Sequence, residues 1–368
     1  MPSVDFVNVT KRFDGVLAVD RATFDVESGE YVCVLGPTGS GKTTLLRLIA
    51  GLLKPDDGII LFDGRPVNAV EAHNRNAVYV PQQYALFPHL TVLQNVAFGP
   101  LARGKSEDEA LEIARQTLEM VRLSGRAQAL PSELSGGMQQ RVALARGLAS
   151  GSSLLLLDEP LGALDARLRL ELRHRLRELV KQSGITAIHV THDRDEAMSV
   201  ADRIMVLRDG RILDYNQPIR VYTRPTGIFV ANLIGGASFL EGIVEKVAPD
   251  SIVVRIRGGL LIKAPAEPLA IDERVILGIR KERVQISPSK LQAENVLEGQ
   301  VRESRFLGST REYVIRLTNG DTILSRRFLE SENPAFAPQQ RISVSFEQSD
   351  VMIFTYPPHG LRNELAMI

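Results

Sequence analysis

The sequence predicts a chain of two parts, an α/β domain followed by a smaller β-rich domain. Over residues 1 to about 235, short apolar runs of strand length alternate with helical patterns. From residue 238 onward, short strands follow one another with turn signals between them. The chain has 368 residues, and its apolar and charged fractions of 44% and 24% are those of ordinary globular proteins. We therefore expect domains at 1–236 and 237–368, each with its own core.

The first domain should contain a parallel sheet. Residues 31–35, 154–157 and 185–190 are continuous apolar runs without alternation. Strands that are buried on both faces have this pattern, so these three runs are predicted to be central strands.

Helices are predicted between and after these strands. Ser106 can cap a helix with Glu109 three residues later, and an apolar face follows at Ala110, Ala114, Leu118 and Val121. This helix lies in a helical insert of about residues 88–150. A second helix, after the 154–157 run, has Gly184 as its stop and an apolar side at Leu168, Leu172, Leu176, Leu179 and Val180.

Two patterns predict antiparallel structure. Asp209-Gly210 between apolar runs indicates a tight hairpin, because that turn requires positive φ. In the tail, the start at Leu240 is echoed at Leu297, a spacing of 57 residues (240 to 297). The echo favours a duplicated small β-barrel unit, OB-like in type.

A glycine-rich loop follows the first buried run and precedes a helical run that starts at Thr44. It fits the phosphate-binding pattern, in the order Gly36, Pro37, Thr38, Gly39, Ser40, Gly41, Lys42 and Thr43. Glycines let backbone N–H groups turn toward a phosphate at a helix N-terminus. Lys42 would supply a cation to the β- and γ-phosphates, and Thr43 a hydroxyl to Mg²⁺. A plain glycine turn would need neither side chain.

Two carboxylates end the 154–157 run, where ligands bind in open α/β sheets. We expect Asp158 to hold Mg²⁺ through its water shell. Glu159, one residue further out, is placed to orient or deprotonate the water that attacks the γ-phosphate.

A second glycine-containing helix start, Ser135-Gly136-Gly137, carries no lysine of its own. Such a helix end makes sense if it faces the γ-phosphate of ATP held mainly by another molecule. Residues 134–139, which end at Gln139, match the signature of ATP-binding cassette ATPases. Together with the phosphate loop and the 154–159 segment, in this order, the match identifies residues 3–235 as resembling that family.

The resemblance implies further roles. Gln82 would touch Mg²⁺ and the attacking water, with Gln83 as the alternative, and His192 would lie near the γ-phosphate and help hold a closed homodimer. Residues 161–165 resemble the loop by which two copies touch, although many relatives have serine where this chain has Gly162. Phe13 is placed like the aromatic residue that stacks on adenine; the alternative is a core phenylalanine.

The predicted partners are proteins. The segment from Tyr84 to Leu90 is unusually apolar for a loop beside a nucleotide site. In the importers that this chain resembles, that surface receives a helix of the membrane permease subunit, and a periplasmic or extracellular solute-binding protein takes part indirectly. The tail resembles the regulatory (TOBE) β-barrel of sugar, polyamine and iron importers.

Composition excludes other classes. Lysine plus arginine and aspartate plus glutamate number 44 each, which gives no field that favours nucleic acid. Cys33 is the single cysteine and lies in a buried run, where a structural role is expected. No window approaches the roughly 18 apolar residues of a spanning helix. We expect a peripheral ATPase on the cytoplasmic side of the cell membrane.

The sequence therefore predicts a P-loop NTPase cassette with a helical subdomain and an antiparallel β arm, followed by the small barrel domain. ATP and Mg²⁺ are its expected cofactors, and import of a polyamine, ferric ion or sugar its expected function. A soluble cassette ATPase of DNA repair or translation is one rival; it would show a coiled-coil insert or two cassettes. A P-loop kinase is the other; it would lack the Ser135-Gly136-Gly137 helix start.

Overall fold

The structure, a computed structural model, describes residues 2–289, 291–329 and 335–366. The chain forms two compact units, Met1–Val221 and Tyr222–Ile368. The two units meet after Val221, whereas the boundary expected from the sequence lies after residue 236, which is 15 residues later (221 to 236). Within the described ranges, no helix is both long and apolar enough to cross a membrane.

The described part of the first unit contains ten strands and seven α-helices. The strands are β1 (Val4–Phe13), β2 (Val16–Val26), β3 (Tyr31–Leu35), β4 (Asp57–Phe62), β5 (Arg65–Pro66), β6 (Ala77–Val80), β7 (Leu154–Asp158), β8 (Thr186–Val190), β9 (Arg203–Arg208) and β10 (Arg211–Asn216). The helices are α1 (Lys42–Ala50), α2 (Val92–Ala102), α3 (Glu107–Met120), α4 (Gly136–Ala149), α5 (Ala166–Ser183), α6 (Arg194–Val200) and α7 (Pro218–Thr223), which crosses the boundary.

The central sheet has the order β10-β9-β3-β8-β7-β6. All its pairs are parallel except the β9/β10 hairpin, whose turn residues Asp209 and Gly210 both have positive φ. Every residue of β3, β7 and β8 is buried. The three predicted central strands and the hairpin are therefore confirmed.

An antiparallel arm of order β2-β1-β4-β5 shares one core with the central sheet. Helix α1 contributes Leu45, Leu46, Leu48 and Ile49 to that core, all with no exposed surface. Burial of such side chains stabilises each by about 1.5–3 kcal/mol, which fixes α1 and the loop before it.

Helices α2, α3 and α4, which follow β6 and precede β7 in the chain, pack against one another. Capping boxes begin two of them, Thr91 with Gln94 at α2 and Ser106 with Glu109 at α3. Helix α5 ends at Gly184, whose φ of 66° is left-handed. Both predicted helices and their end signals are confirmed.

The second unit is mostly antiparallel sheet. Its strands are β11 (Ser238–Val247), β12 (Ser251–Ile256), β13 (Leu261–Pro265), β14 (Arg274–Ile279), β15 (Gln285–Ser287), β16 (Asn295–Phe306), β17 (Thr310–Leu317), β18 (Thr322–Phe328), β19 (Arg341–Phe346) and β20 (Val351–Thr355). Helices α8 (Ile228–Gly235) and α9 (Leu361–Ala366) complete it.

These strands form two five-stranded sheets, β13-β12-β11-β14-β20 and β15-β19-β16-β17-β18, around one core. The echoed segments are the middle strands β11 and β16. Gly242 and Gly299 occupy matching places in them, and an added methyl would lie 2.3 Å from Val254 and 2.7 Å from Ile315. The absence of a side chain at each glycine leaves room for the side chain of Val254 or Ile315 on the neighbouring strand. The predicted OB-like β-barrel domain agrees with this arrangement.

Arg280 ties the first helices of this unit to the sheets. It is only 4% exposed. Its guanidinium donates to the carbonyl oxygens of Ala231 (2.5 Å), Gly236 (3.3 Å) and Tyr222 (2.7 Å). The bond to Gly236 satisfies a carbonyl at the end of α8 that the helix itself leaves without a partner.

Candidate nucleotide and hydrolysis site

The phosphate loop lies between β3 and α1, with little room for a side chain at Gly36 or Gly41. A methyl on Gly36 would lie 2.1 Å from the backbone oxygen of Leu207, and Gly41 has a φ of 102°. Lys42 Nζ donates to the carbonyls of Gly36 and Pro37, each at 2.8 Å. Partial burial lowers the pKa of Lys42, and the charges of Glu159 and Asp158 at the end of β7 oppose that shift. The loop thus holds a cation at the helix N-terminus.

Asp158 receives two hydroxyl hydrogen bonds at the end of β7. Thr43 Oγ1 donates to its Oδ1 at 3.2 Å, and Tyr79 OH donates to its Oδ2 at 2.9 Å. Asp158 is 2% exposed. Burial raises the pKa of Tyr79 to about 12, so this hydroxyl stays a donor throughout the physiological range. No polar pattern in the sequence marks Tyr79, which lies within the apolar strand β6.

Glu159 lies between two of the residues assigned by resemblance. Gln82 Nε2 donates to its Oε2 at 3.0 Å, and His192 Nδ1 lies 3.4 Å from the same oxygen. The side chain of His192 is 67% exposed and that of Glu159 is 22% exposed. Of the two glutamines considered from the sequence, it is Gln82 whose amide reaches the carboxylate.

The backbone of Glu159 is in the left-handed region, with φ of 51°. Non-glycine residues rarely adopt it, at a cost of about 1–3 kcal/mol. Three hydrogen bonds hold it there: its N–H donates to Val190 O (2.9 Å), and its carbonyl accepts from Gln140 Nε2 (2.9 Å) and from Gly162 N (3.4 Å). The other end of the buried Gln140 amide accepts from Ala163 N at 2.9 Å. Gln140 therefore fixes both Glu159 and the loop after it.

The start of α4 is capped by Ser135, whose Oγ accepts from Met138 N at 3.4 Å. A methyl on Gly137 would lie 3.0 Å from the carbonyl oxygen of Ala163, so the helix start packs on that loop. Gln139 donates to Pro131 O at 2.9 Å and so fixes the approach to the helix. No described hydrogen bond joins Ser135, Gly136, Gly137 or Gln139 to the phosphate loop.

Phe13 ends β1 and is 44% exposed, with Lys11 Nζ 5.5 Å above its ring. An exposed ring beside a cation is open to a planar ligand, whereas a core phenylalanine would be covered. No contact between two aromatic rings within the described residues involves Phe13.

The segment from Tyr84 to Leu90 is folded back on the helices. The side-chain amide of Asn95 makes two bonds to the backbone of Phe87: Oδ1 accepts from Phe87 N at 2.9 Å, and Nδ2 donates to Phe87 O at 3.1 Å. The Phe87 ring packs 4.6 Å from that of Phe98, and the Arg146 guanidinium lies 5.2 Å from the Phe87 centroid. Phe98 is 45% exposed, so the apolar surface continues onto α2.

The residues present fit a magnesium ion. Thr43 and Asp158 place a hydroxyl and a buried carboxylate side by side, and both are hard oxygen ligands. The described residues contain no cluster of three or more carboxylate, histidine or cysteine ligands. Magnesium in nucleotide sites takes few protein ligands and completes its shell with phosphate and water.

A nucleotide-hydrolysing cassette is defined by a buried strand, the lysine-bearing phosphate loop that follows it, and two carboxylates at the carboxyl end of a second parallel strand. The family model of the ABC transporter matches residues 19–162, and that of the TOBE domain matches residues 277–354. The first match contains both the phosphate loop and the 158–159 carboxylates.

Curated relatives match nearly the whole chain. The spermidine/putrescine import ATP-binding protein PotA of Rubrobacter xylanophilus is 40% identical over 95% of this chain and 93% of its own length. The Fe(3+) ions import ATP-binding protein FbpC of Brucella abortus is 41% identical over 95% of this chain and 97% of its own. A dimeric structure of the ATP-binding cassette MJ0796 with ADP and Pi aligns with a TM-score of 0.55 at 34% identity, covering 58% of this chain and 98% of that one.

The chain belongs to the ABC transporter family, as one of its TOBE-containing import ATP-binding subunits. ATP binding and ATP hydrolysis coupled to import are its activity, as the resemblance implied.

Proposed function

We propose that two copies of this chain close over two MgATP, and that Glu159 activates the hydrolytic water. The observation that carries the proposal is the contact of one Glu159 oxygen with both Gln82 and His192. Such a carboxylate can accept a proton from water while the amide and the imidazole fix the water's direction. Magnesium, held by Thr43 and Asp158, would neutralise charge on the β- and γ-phosphates.

Nucleotide binding is assigned to residues of two copies. Lys42 and the loop glycines would hold the phosphates of one ATP, and Phe13 of the same copy its adenine. The start of α4, with Ser135, Gly136 and Gly137, would face the γ-phosphate of the ATP held by the other copy. The absence of a described bond between α4 and its own phosphate loop is consistent with that division.

The membrane partner would be a permease subunit that docks between Tyr84 and Leu90. Arg146 donates to Tyr84 O at 3.2 Å and covers Phe87, so this surface is continuous with α4. When the nucleotide site closes, movement of Gln82 would be passed to the docking surface, which begins two residues later at Tyr84, and from there to the docked permease helix. The chain would therefore work as a peripheral protein on the cytoplasmic face of the membrane.

The proposed cargo is a polyamine or ferric ion, because the similar import proteins PotA and FbpC are named for these. A sugar is the less favoured candidate. Residues 237–368 would regulate the cassette, since every residue of the hydrolysis site precedes residue 193. Transport of radiolabelled spermidine, iron and maltose in vesicles with the permease would decide among the cargoes.

Glu159→Gln tests the hydrolysis site. The amide keeps the shape of the carboxylate but accepts a proton poorly, so turnover should fall by at least about 100-fold while ATP affinity stays within about threefold. ATP-dependent dimers should accumulate in light scattering.

Lys42→Ala is the matched variant, because it should instead lose ATP affinity through the lost charge-assisted contact. Turnover by Glu159→Gln at the parental rate would refute the assignment of the carboxylate. Unchanged ATP affinity in Lys42→Ala would refute that of the loop.

A further inference from the structure

The loop of residues 161–165 is held by an arginine of the helix that follows it. Arg169 Nη2 donates to the carbonyl oxygens of Gly162 at 3.3 Å and Leu164 at 2.7 Å. Gly162 has no side chain with which to fix the loop, and a glycine there leaves the backbone more freedom than other residues would. The guanidinium therefore supplies the loop with contacts that its own sequence lacks.

The same guanidinium reaches the segment that carries the switch histidine. Arg169 Nη1 lies 3.7 Å from Oδ2 of Asp193, the residue directly after His192. The other oxygen of Asp193 accepts from the N–H groups of Asp195 and Glu196 at 2.9 and 3.0 Å. Asp193 is thus the N-cap of α6, and its carboxylate links that helix to Arg169.

Helix α5 gives Arg169 a firm base. Asp165 caps the helix through its bond from Leu168 N at 3.0 Å, and Leu172 and Leu176 are buried along it. Arg173, one turn after Arg169, lies 3.6 Å from the same Asp193 oxygen. Residues four apart share a helix face, so two cations of α5 converge on one carboxylate.

We propose that Arg169 is a positioning residue that joins the 161–165 loop to the segment of His192, so that both shift together when a second copy closes on the loop. The proposal rests on the proposed function, in which closure brings His192 to the γ-phosphate. Arginine suits this link because its planar fork can bond two carbonyls and a carboxylate at once. Lysine offers one point charge and could not span all three oxygens.

The first test is Arg169→Met in the full-length chain, assayed by steady-state ATP hydrolysis. The phosphate loop is untouched, so KM for ATP should stay within about threefold, whereas kcat should fall at least about tenfold. Arg175→Met is the matched control. Arg175 lies on the same helix and also combines an ion pair, to Glu171 at 3.0 Å, with a main-chain bond, to Met120 O at 3.2 Å. Its kcat should stay within about twofold of the parent.

The second test is a double-mutant cycle with Asp193→Asn. Asparagine caps a helix as well as aspartate does, so α6 is kept while the charge that Arg169 contacts is removed. If Arg169 acts through Asp193, the double variant should be no slower than the slower single variant, within about twofold. If the two substitutions merely damaged the structure at separate places, their fold losses in kcat would instead multiply in the double variant.

The proposal is overturned if kcat of Arg169→Met stays within about twofold of the parent, or if the two losses multiply in the double variant. Should Arg169→Met fail to fold, Arg169→Lys enters the same cycle with the same criteria. If Glu159→Gln hydrolyses ATP like the parent, it is the proposed function that fails. If Glu159→Gln is inactive and Arg169→Met is fully active, only the positioning role fails.

Discussion

Replacing Gln140 by methionine removes the amide that bridges Glu159 and Ala163 while nearly preserving side-chain volume. Gln140 is 5% exposed, and both its bonds are 2.9 Å long. Two lost hydrogen bonds cost about 0.5–1.5 kcal/mol each, and so up to about 3 kcal/mol together. We expect the first unit to lose about 3 kcal/mol in free energy of unfolding, a fall in Tm of roughly 6–12 °C.

Activity should respond as well. Without the bond from Gln140, the backbone of Glu159 keeps two described hydrogen bonds, to Val190 O and the longer one from Gly162 N at 3.4 Å. Its left-handed backbone can then relax toward an ordinary conformation. The carboxylate would then leave Gln82 and His192, so kcat should fall at least about tenfold with ATP affinity unchanged.

The assays are thermal unfolding by circular dichroism and steady-state hydrolysis. Gln116→Met is the control, because that glutamine is exposed on α3 and bonds only Glu112 within the described contacts. A Gln140→Met protein that melts within about 1 °C of the parent and keeps its kcat would show that the bridge does not hold Glu159.

Three further predictions follow from other parts of the structure. Phe87→Asp places a charge in the apolar surface next to Phe98, so it should uncouple vesicle transport while ATP hydrolysis by the isolated chain survives. Leu52→Asp, which also replaces an apolar side chain with a charge and lies at a residue 53% exposed, should leave transport intact. Parental transport by Phe87→Asp would place the docking site elsewhere. Burial raises the pKa of Tyr79 from 10.0 to about 12. The contribution of the Tyr79 hydroxyl to stability is therefore complete below pH 10 and is lost as pH rises through 12. The pH dependence of Tm in that window should flatten in Tyr79→Phe, and an unchanged slope would contradict this. Arg280→Met removes the guanidinium donor from three main-chain carbonyls, so the second unit should melt at least about 5 °C lower. The ATP affinity measured by titration should be unchanged. An equal melting temperature would show that these bonds contribute nothing.

Much of the fold could be predicted because its signals are local in the chain. The buried run before Asp158, the cap at Ser106 and the turn at Asp209-Gly210 each depend on a few neighbouring residues. The same holds for the phosphate loop, whose residue types are needed at fixed spacing.

The parts that could not be predicted depend on how distant segments are seated. Gln139 and Gln140 are chemically identical neighbours, yet they point about 100° apart around α4. Only the packed position of the helix decides which of them reaches Glu159. The pairing of Arg169 with Asp193 likewise joins positions 24 residues apart (169 to 193) through the packing of α5 against α6.

The left-handed backbone at Glu159 has a consequence for attempts to make this protein more heat-resistant. Glycine adopts that conformation without the steric cost that other residues meet, a difference of about 1 kcal/mol. A design procedure that scores folded-state energy alone would therefore favour Glu159→Gly and would improve the score by deleting the hydrolytic carboxylate. Stabilising substitutions in this chain should be sought away from residue 159, and a gain in Tm there should be read as a warning that turnover has been lost.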